Sequence, residues 1–304
     1  MPLATAERPH AAPVPAPAPG LPPTVMVTGA GGRLGRQLTQ QLHGRGMRVI
    51  RTDIAPAHPA GEDFVLGPYA GSPSYLPFLE AALARWKVDL LIPTVPDELP
   101  ALAAAAPVLG SRVAIAAPGP IALCHDRLLL MRYLERHGVR VPATVAVRPS
   151  GIPGRLAQEG VHVVAPRLAS SRGEVQVIRP RDPLPARNDT YIAQEFAPGQ
   201  EHLVQVHRSA HHGVMTTVLL RCGPGERVDR LDPMAASEVT GLARAAVCAL
   251  GLTGASSVRV RRDAEGRPTV LGVEPRAGLR SDLAPELLDG MLADAGLPLR
   301  SPAL

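Results

Sequence analysis

The sequence predicts an α/β protein in two parts: a doubly wound parallel sheet, then an α+β region with antiparallel sheets. Three observations carry this. Strand-like and helix-like patterns alternate from Thr24 to Pro118, as a parallel sheet with crossover helices requires. The series opens on a strand, a Gly-rich turn and a helix, TVMVTGAGGRLGRQL. Beyond Pro142, short apolar runs follow one another with turn residues between them, the pattern of antiparallel strands.

Residues 1–22 form a Pro/Ala tail without periodicity, expected to be disordered or polyproline-like. Val25 to Val27 is a short buried strand, and Leu34, Leu38 and Leu42 recur at helical spacing. Arg48 to Thr52 is a second strand ending at Asp53. A helix over 76–86 and a strand over 88–94 come next, then the helical run DELPALAAAA and a fourth strand over 111–118. This first domain is expected to span 23–118. The second spans 119–304. It opens with one helix over about 121–137, stopped by Gly138, and carries a small lid of about 140–190. Strands at DTYIAQEF, EHLVQVHRS and GVMTTVLLRC follow, then a helix over 237–250, a hairpin turning at Ala264–Gly266, and closing helices.

Aliphatic residues must build the core, because the chain is 45% apolar but only 3% aromatic. No apolar run approaches the roughly 18 residues of a spanning helix, so no membrane partner is expected. Cys124, Cys222 and Cys248 lack paired spacing, which fits a reducing cytoplasm rather than disulfides or zinc. The net charge of +5 comes almost wholly from arginine interleaved with acids and apolars, so no nucleic-acid partner is expected. Lys87 is the only lysine, which excludes a P-loop.

Gly29, Gly32 and Gly35 follow a strand and open a helix, a place where an anion can bind, and Asp53 ends the next strand as a ribose-binding carboxylate would. That combination allows NAD(P) binding. The glycines equally serve a tight turn and close packing. Tyr69, Tyr75, Tyr133 and Tyr191 lack the lysine four residues on that a short-chain reductase or epimerase needs.

The order of segments from Thr24 to beyond Arg276 resembles the ATP-grasp superfamily, in particular proteins like the large chain of carbamoyl-phosphate synthase. The resemblance implies a Rossmann-like domain before an ATP-grasp domain, with ATP and Mg²⁺ as cofactors. Asp126-Arg127, before LLLMRYLERHGVRVPAT, looks like the family's Asp-Lys pair at a helix start. Arg127 would then meet phosphate with a forked cation; it reads equally as a solvated helix residue. Ala165-Pro166-Arg167 and Ser170-Ser171-Arg172-Gly173 match the family's Lys-Pro-Arg strand and the small loop over the phosphates, with alanine where the lysine belongs. Arg167 and Arg172 are the cations at hand to replace it. YIAQEFAPGQEHLVQV is similar to the family's hinge. It implies adenine against Gln194, Glu195 and Phe196, and ribose hydroxyls on Glu201.

Pairing GASSVRVRRDAEGRPTVLGVEPR with the family's metal hairpin puts Arg259 and Gly272 where two oxygen ligands belong. Glu274, Pro275 and Arg276 match. Mg²⁺ wants oxygen donors in octahedral geometry, so either a single ion sits on Glu274, or Arg259 pairs with Glu274 and fills the metal's place. Arg276 would contact the γ-phosphate or a developing acyl phosphate.

Three functions follow as expectations. One is an ATP-dependent carboxylate-amine ligase acting on a small molecule, with a degenerate phosphate and metal site. Another is a pseudoenzyme with a binding or regulatory role. The third is an NAD(P)-dependent epimerase or reductase. His202, His207, His211 and His212 lie where they could line a substrate pocket. The resemblance also implies a possible homodimer.

Overall fold

The computed structural model describes residues 21–56, 63–109, 112–148, 150–152, 156, 160–169, 174–179, 182–184, 190–209, 211, 213, 215–223, 227–278 and 280–298. Nearly all of the expected tail, the loop Ser170, Ser171, Arg172 and Gly173, and His212 lie outside the described residues.

The first layer is a parallel sheet. It is built from β1 (Thr24–Val27), β2 (Arg48–Asp53), β3 (Phe64–Leu66), β4 (Leu90–Ile92) and β5 (Arg112–Val113), in the order β3-β2-β1-β4-β5. Helices α1 (Arg33–Gly44), α2 (Tyr75–Trp86) and α3 (Leu99–Ala105) connect them. Its central strands are buried on both faces. Met26, Ile50 and Leu91 pack with Leu79, Leu83 and Leu102 on one side, and Val25, Val27 and Ile92 pack with Leu34, Leu38 and Leu42 on the other. The short strand β3 was not expected from the sequence.

A single helix over 121–137 was expected, and two are found: α4 (Pro118–His125) and α5 (Arg127–Arg136). The break is at Asp126, whose backbone is extended (φ −104°, ψ 104°) while its carboxylate accepts from the N–H groups of Leu128 and Leu129. That is an N-cap, and its geometry is incompatible with a continuous helix. Gly138 ends α5 with φ +73°, as expected.

The segment expected as a lid over about 140–190 is a four-stranded antiparallel sheet that runs on to Glu195. It contains β6 (Thr144–Ala146), β7 (His162–Pro166), β8 (Gln176–Ile178) and β9 (Tyr191–Glu195), ordered β6-β9-β7-β8. The larger antiparallel sheet contains β10 (Glu201–Arg208), β11 (Met215–Cys222), β12 (Val228–Leu231), β13 (Gly254–Arg262) and β14 (Pro268–Glu274), ordered β12-β11-β10-β13-β14. Helix α6 (Ser237–Ala249) covers one face, where Val204, Val206, Val258 and Val260 meet Val239, Ala243 and Val247. On the other face, Val218, Leu220 and Ala255 pack with the closing helix α7 (Pro285–Asp294) and with the parallel sheet. Among the described residues no helix is long and apolar enough to cross a membrane.

Candidate functional site

Side chains alternate across a strand, so register decides which residues share a face. In β10, Leu203 lies opposite Arg259 and Glu201 opposite Arg261; across β13 and β14, Arg259 lies opposite Gly272 and Ser257 opposite Glu274. Glu201, Leu203, Arg259, Arg261, Gly272 and Glu274 therefore stand on one face, opposite the valines buried under α6. At this end of the sheet that face is open.

A cavity of about 110 Å³ lies over it, lined by Arg127 from the start of α5 and by Arg259, Gly272, Glu274 and Arg276, with Cys124, Leu203 and Ser257 among its other walls. Five sequence-predicted positions, from α5, β13 and the end of β14, thus meet in one place. Glu274 is ion-paired with Arg276 at 2.9 Å, and the Arg276 side chain is only 10% exposed. The alternative pairing expected from the sequence, Arg259 with Glu274, is not what forms; the Arg259 side chain makes no hydrogen bond or ion pair among the described residues. Arg127 donates to the carbonyl of Pro166 on the lid. Burial, and then the like charge of Arg259, pull the Arg127 pKa below its ordinary value, while Glu274 opposes the shift. Burial pushes the Cys124 thiol up to about 12, so it is not a nucleophile at neutral pH.

The chain just beyond Arg276 is held by Gln205, a residue the sequence reading missed. Gln205, fully buried, donates to Ser257 Oγ at 3.1 Å and accepts from the Gly278 N–H at 3.1 Å. A Cβ at Gly278 would stand about 2.1 Å from the Gln205 amide, so the glycine is what lets the chain after Arg276 reach it. The one available signal was a glutamine amid the apolar alternation of HLVQVHR.

The hinge residues are placed near the same sheet end. Gln194 is buried and donates to Thr144 Oγ1 at 3.1 Å, which ties β9 to β6. Glu195 is exposed, and Phe196 is half-buried with the Arg261 guanidinium 5.6 Å from its ring centre. Arg261 also faces Glu201 at 3.5 Å, so the expected ribose acceptor already has a cationic neighbour, another residue the sequence reading missed. Arg167 does not reach toward the cavity. It binds Asp126 with Nη2 at 2.7 Å and Nε at 2.9 Å. Partial burial alone would raise the Asp126 pKa, but the hydrogen bonds from Arg167, Leu129 and Leu128 outweigh it and hold the carboxyl low. Ala165, where the resemblance places a lysine, packs with Leu128 and Ile192.

Mg²⁺ does not fit these residues. Among the described residues Glu274 is the only carboxylate at the cavity, and it is engaged by Arg276. Arg259 and Gly272 bring no side-chain oxygen, whereas the ion needs several oxygen donors. Among the described residues no three His, Cys, Asp or Glu side chains are grouped to hold a metal.

A second, larger cleft of about 570 Å³ lies on the parallel sheet, and Pro96 and Arg276 line both it and the smaller cavity. The Gly-rich turn forms one wall. Gly29 has φ +55°, and a Cβ there would stand 2.6 Å from Thr94 Oγ1, so tight turn and close packing account for it. Asp53 accepts from the N–H groups of Gly31 (2.8 Å) and Ile54 (2.7 Å). Its oxygens thus hold the turn itself. Beneath it, buried Glu98 accepts from Thr28 Oγ1 at 2.5 Å, from the N–H groups of Thr94 and Val95 at 2.9 Å, and from Tyr75 Oη. Burial raises the Glu98 pKa against the pull of these bonds.

A parallel domain, a small lid and a large antiparallel sheet enclosing a cationic cavity are the parts of an ATP-grasp protein. The chain has the ATP-grasp fold. It is similar to N5-carboxyaminoimidazole ribonucleotide synthetase from Thermotoga maritima, with TM-score 0.69 at 19% identity over 93% of this chain and 78% of that one. Biotin carboxylase from Campylobacter jejuni gives 0.67 at 15% identity over 92% and 72%. L-amino acid ligase from Bacillus licheniformis gives 0.66 at 15% over 84% and 67%. No protein-family model and no curated protein sequence matches the chain.

Proposed function

We propose that the chain is an ATP-binding protein built on the carboxylate-amine ligase plan, with its phosphate and metal side altered. The observation that carries this is the convergence of Arg127, Arg259, Glu274 and Arg276 on one cavity. Adenine would lie against the backbone of Gln194 to Phe196, and the ribose hydroxyls would take up Glu201 in competition with Arg261. The phosphates would point to the three guanidiniums, which suit phosphate oxygens as forked donors. Neighbouring structures support the assignment through their bound ligands: one is a biotin carboxylase with a β,γ-ATP, another a carboxyaminoimidazole ribonucleotide synthase with ATP.

The second reading is a binding or regulatory role without ATP turnover. The absence of metal donors at Arg259 and Gly272, and the engagement of Glu274 by Arg276, favour it. Calorimetric titration with ATP tests the reading common to both. Saturable binding, weakened about tenfold in Glu201→Ala, is expected. No heat with ATP but clear binding of NADPH would abolish it in favour of the cleft beside the Gly-rich turn. Release of ADP on adding carboxylate and amine substrates separates ligase from pseudoenzyme.

A further inference from the structure

The metal hairpin departs from the family in a coordinated way. Gly272 lies opposite Arg259 across β13 and β14, beside an irregularity in register at Arg259/Val260. A Cβ built on Gly272 would stand 3.8 Å from Arg259 Nη2. The guanidinium therefore extends over the space that a ligand side chain at 272 would occupy. A carboxylate side chain there would ion-pair with it and cancel its charge. The two departures, a long cation and a missing side chain, fit together as one change.

The charge count at the cavity has the same sense. Among the described residues, three guanidiniums, Arg127, Arg259 and Arg276, face one carboxylate, Glu274, an excess of two positive charges (three less one). Glu274 is bound to Arg276. Arg127 and Arg259 carry like charge on the same cavity, which adds to burial in weakening the hold of Arg127 on its proton. Like charges gathered at a partly buried site are costly without a counter-ion. The missing partner is an anion, and a divalent cation would add to the repulsion.

We propose that this cavity takes the phosphates of a nucleoside triphosphate free of divalent metal, with the Arg259 guanidinium in the metal's position. The proposal rests on the ATP-binding reading and adds the form of the ligand. Metal-free ATP carries more negative charge than its magnesium complex, so Mg²⁺ competes with the protein for the phosphates instead of bridging them.

The test is titration of the full chain with ATP in EDTA and again in excess MgCl₂, for the parent, Arg259→Gln and Arg259→Lys. Thermal unfolding checks that each variant is folded. The parent should bind ATP in EDTA at least about tenfold more tightly than in Mg²⁺. Arg259→Gln should lose that advantage, and Arg259→Lys, which keeps the charge without the fork, should lose part of it. Tighter binding with Mg²⁺ overturns the proposal and leaves the ATP reading standing. Equal binding of metal-free ATP by Arg259→Gln and the parent also overturns it. No ATP binding under either condition overturns both.

Discussion

Gln205 is fully buried and does not itself line the cavity, yet its amide joins parts of the site. It bonds Ser257 on β13 and the Gly278 N–H just beyond Arg276. Replacing it with alanine leaves that buried N–H without its acceptor, which costs about 1–3 kcal/mol, measurable as a lower urea midpoint. Arg276 should loosen with it, so ATP affinity should fall although residue 205 is not at the cavity. Gln205→Glu keeps the acceptor but buries a charge, and is expected to be no better. Glu98 is the parallel case beneath the Gly-rich turn, where four donors converge on one buried carboxylate. Glu98→Ala should destabilise the first domain by more than 2 kcal/mol in the same measurement. At this scale the sequence made the charged lining legible, because Arg127, Glu274 and Arg276 stand in recognisable order along the chain. It hid Gln205, Arg261 and Glu98. Their roles depend on which strand or turn lies opposite, and register between distant segments leaves no local mark.

At the level of elements, two junctions decide how the parts meet. The α5 start is one: Asp126 caps the helix and binds Arg167 from the end of β7, and the Arg127 N–H donates to the Arg167 carbonyl. Asp126→Ala removes cap and ion pair together, for about 1 kcal/mol from the cap; Asp126→Asn keeps the cap and should cost less. Because the folded Asp126 pKa lies below its ordinary value, its contribution is present above about pH 4 and is lost as pH falls through the folded value. The other junction is α7 on β10. His207 Nε2 lies 3.3 Å from Asp294 Oδ2, and Ser209 Oγ donates to Asp294 Oδ1 at 2.6 Å. Burial lowers the His207 pKa, with Asp294 opposing. An unfolded histidine titrates near 6.5, so the unfolded chain takes up a proton first as pH falls. Stability should therefore drop as pH falls through about 6.5, and the drop should shrink in His207→Gln, read from urea midpoints at pH 8 and 5.5. It should not vanish, since buried His202 is shifted the same way. Helix pattern alone merged α4 and α5, because Asp126 sits inside an unbroken run of helix-compatible residues and its cap is a matter of backbone geometry.

The molecule as a whole divides differently from the chain. The boundary expected near Pro118 separates two sheets, but one apolar core crosses it. Val25, Leu38 and Ile92 of the parallel domain pack with Val218, Leu220, Leu288 and Met291. Arg45, with a side chain 9% exposed, bonds Asp289 of α7 at 2.8 Å. Alternating patterns correctly separated parallel from antiparallel strands, but they could not show that α7, last in the chain, returns to the first domain. The lid shares little of this core. Its own apolar cluster is small, centred on Val164, Ile178 and Ala193, and a second small one joins Ala165 and Ile192 to Leu128 of α5. Its ties to the rest include the Asp126–Arg167 pair, the Arg127 contact to Pro166, the Ala169 N–H to the His125 carbonyl and the short turn at Pro198-Gly199. Local opening free energy follows buried contact, so the lid should open well below the global unfolding free energy. Hydrogen exchange should show the amides of β7 and β9 exchanging faster than those of β1, β10 and β13, which should exchange together as one unit. ATP in EDTA should slow the lid amides selectively, because a ligand held by Arg127 and the large sheet adds a bridge between the two bodies. Asp126→Ala should speed lid exchange without changing that of β1. If lid and core amides exchange at one common rate, the lid is not an independent unit and affinity cannot be regulated through its opening.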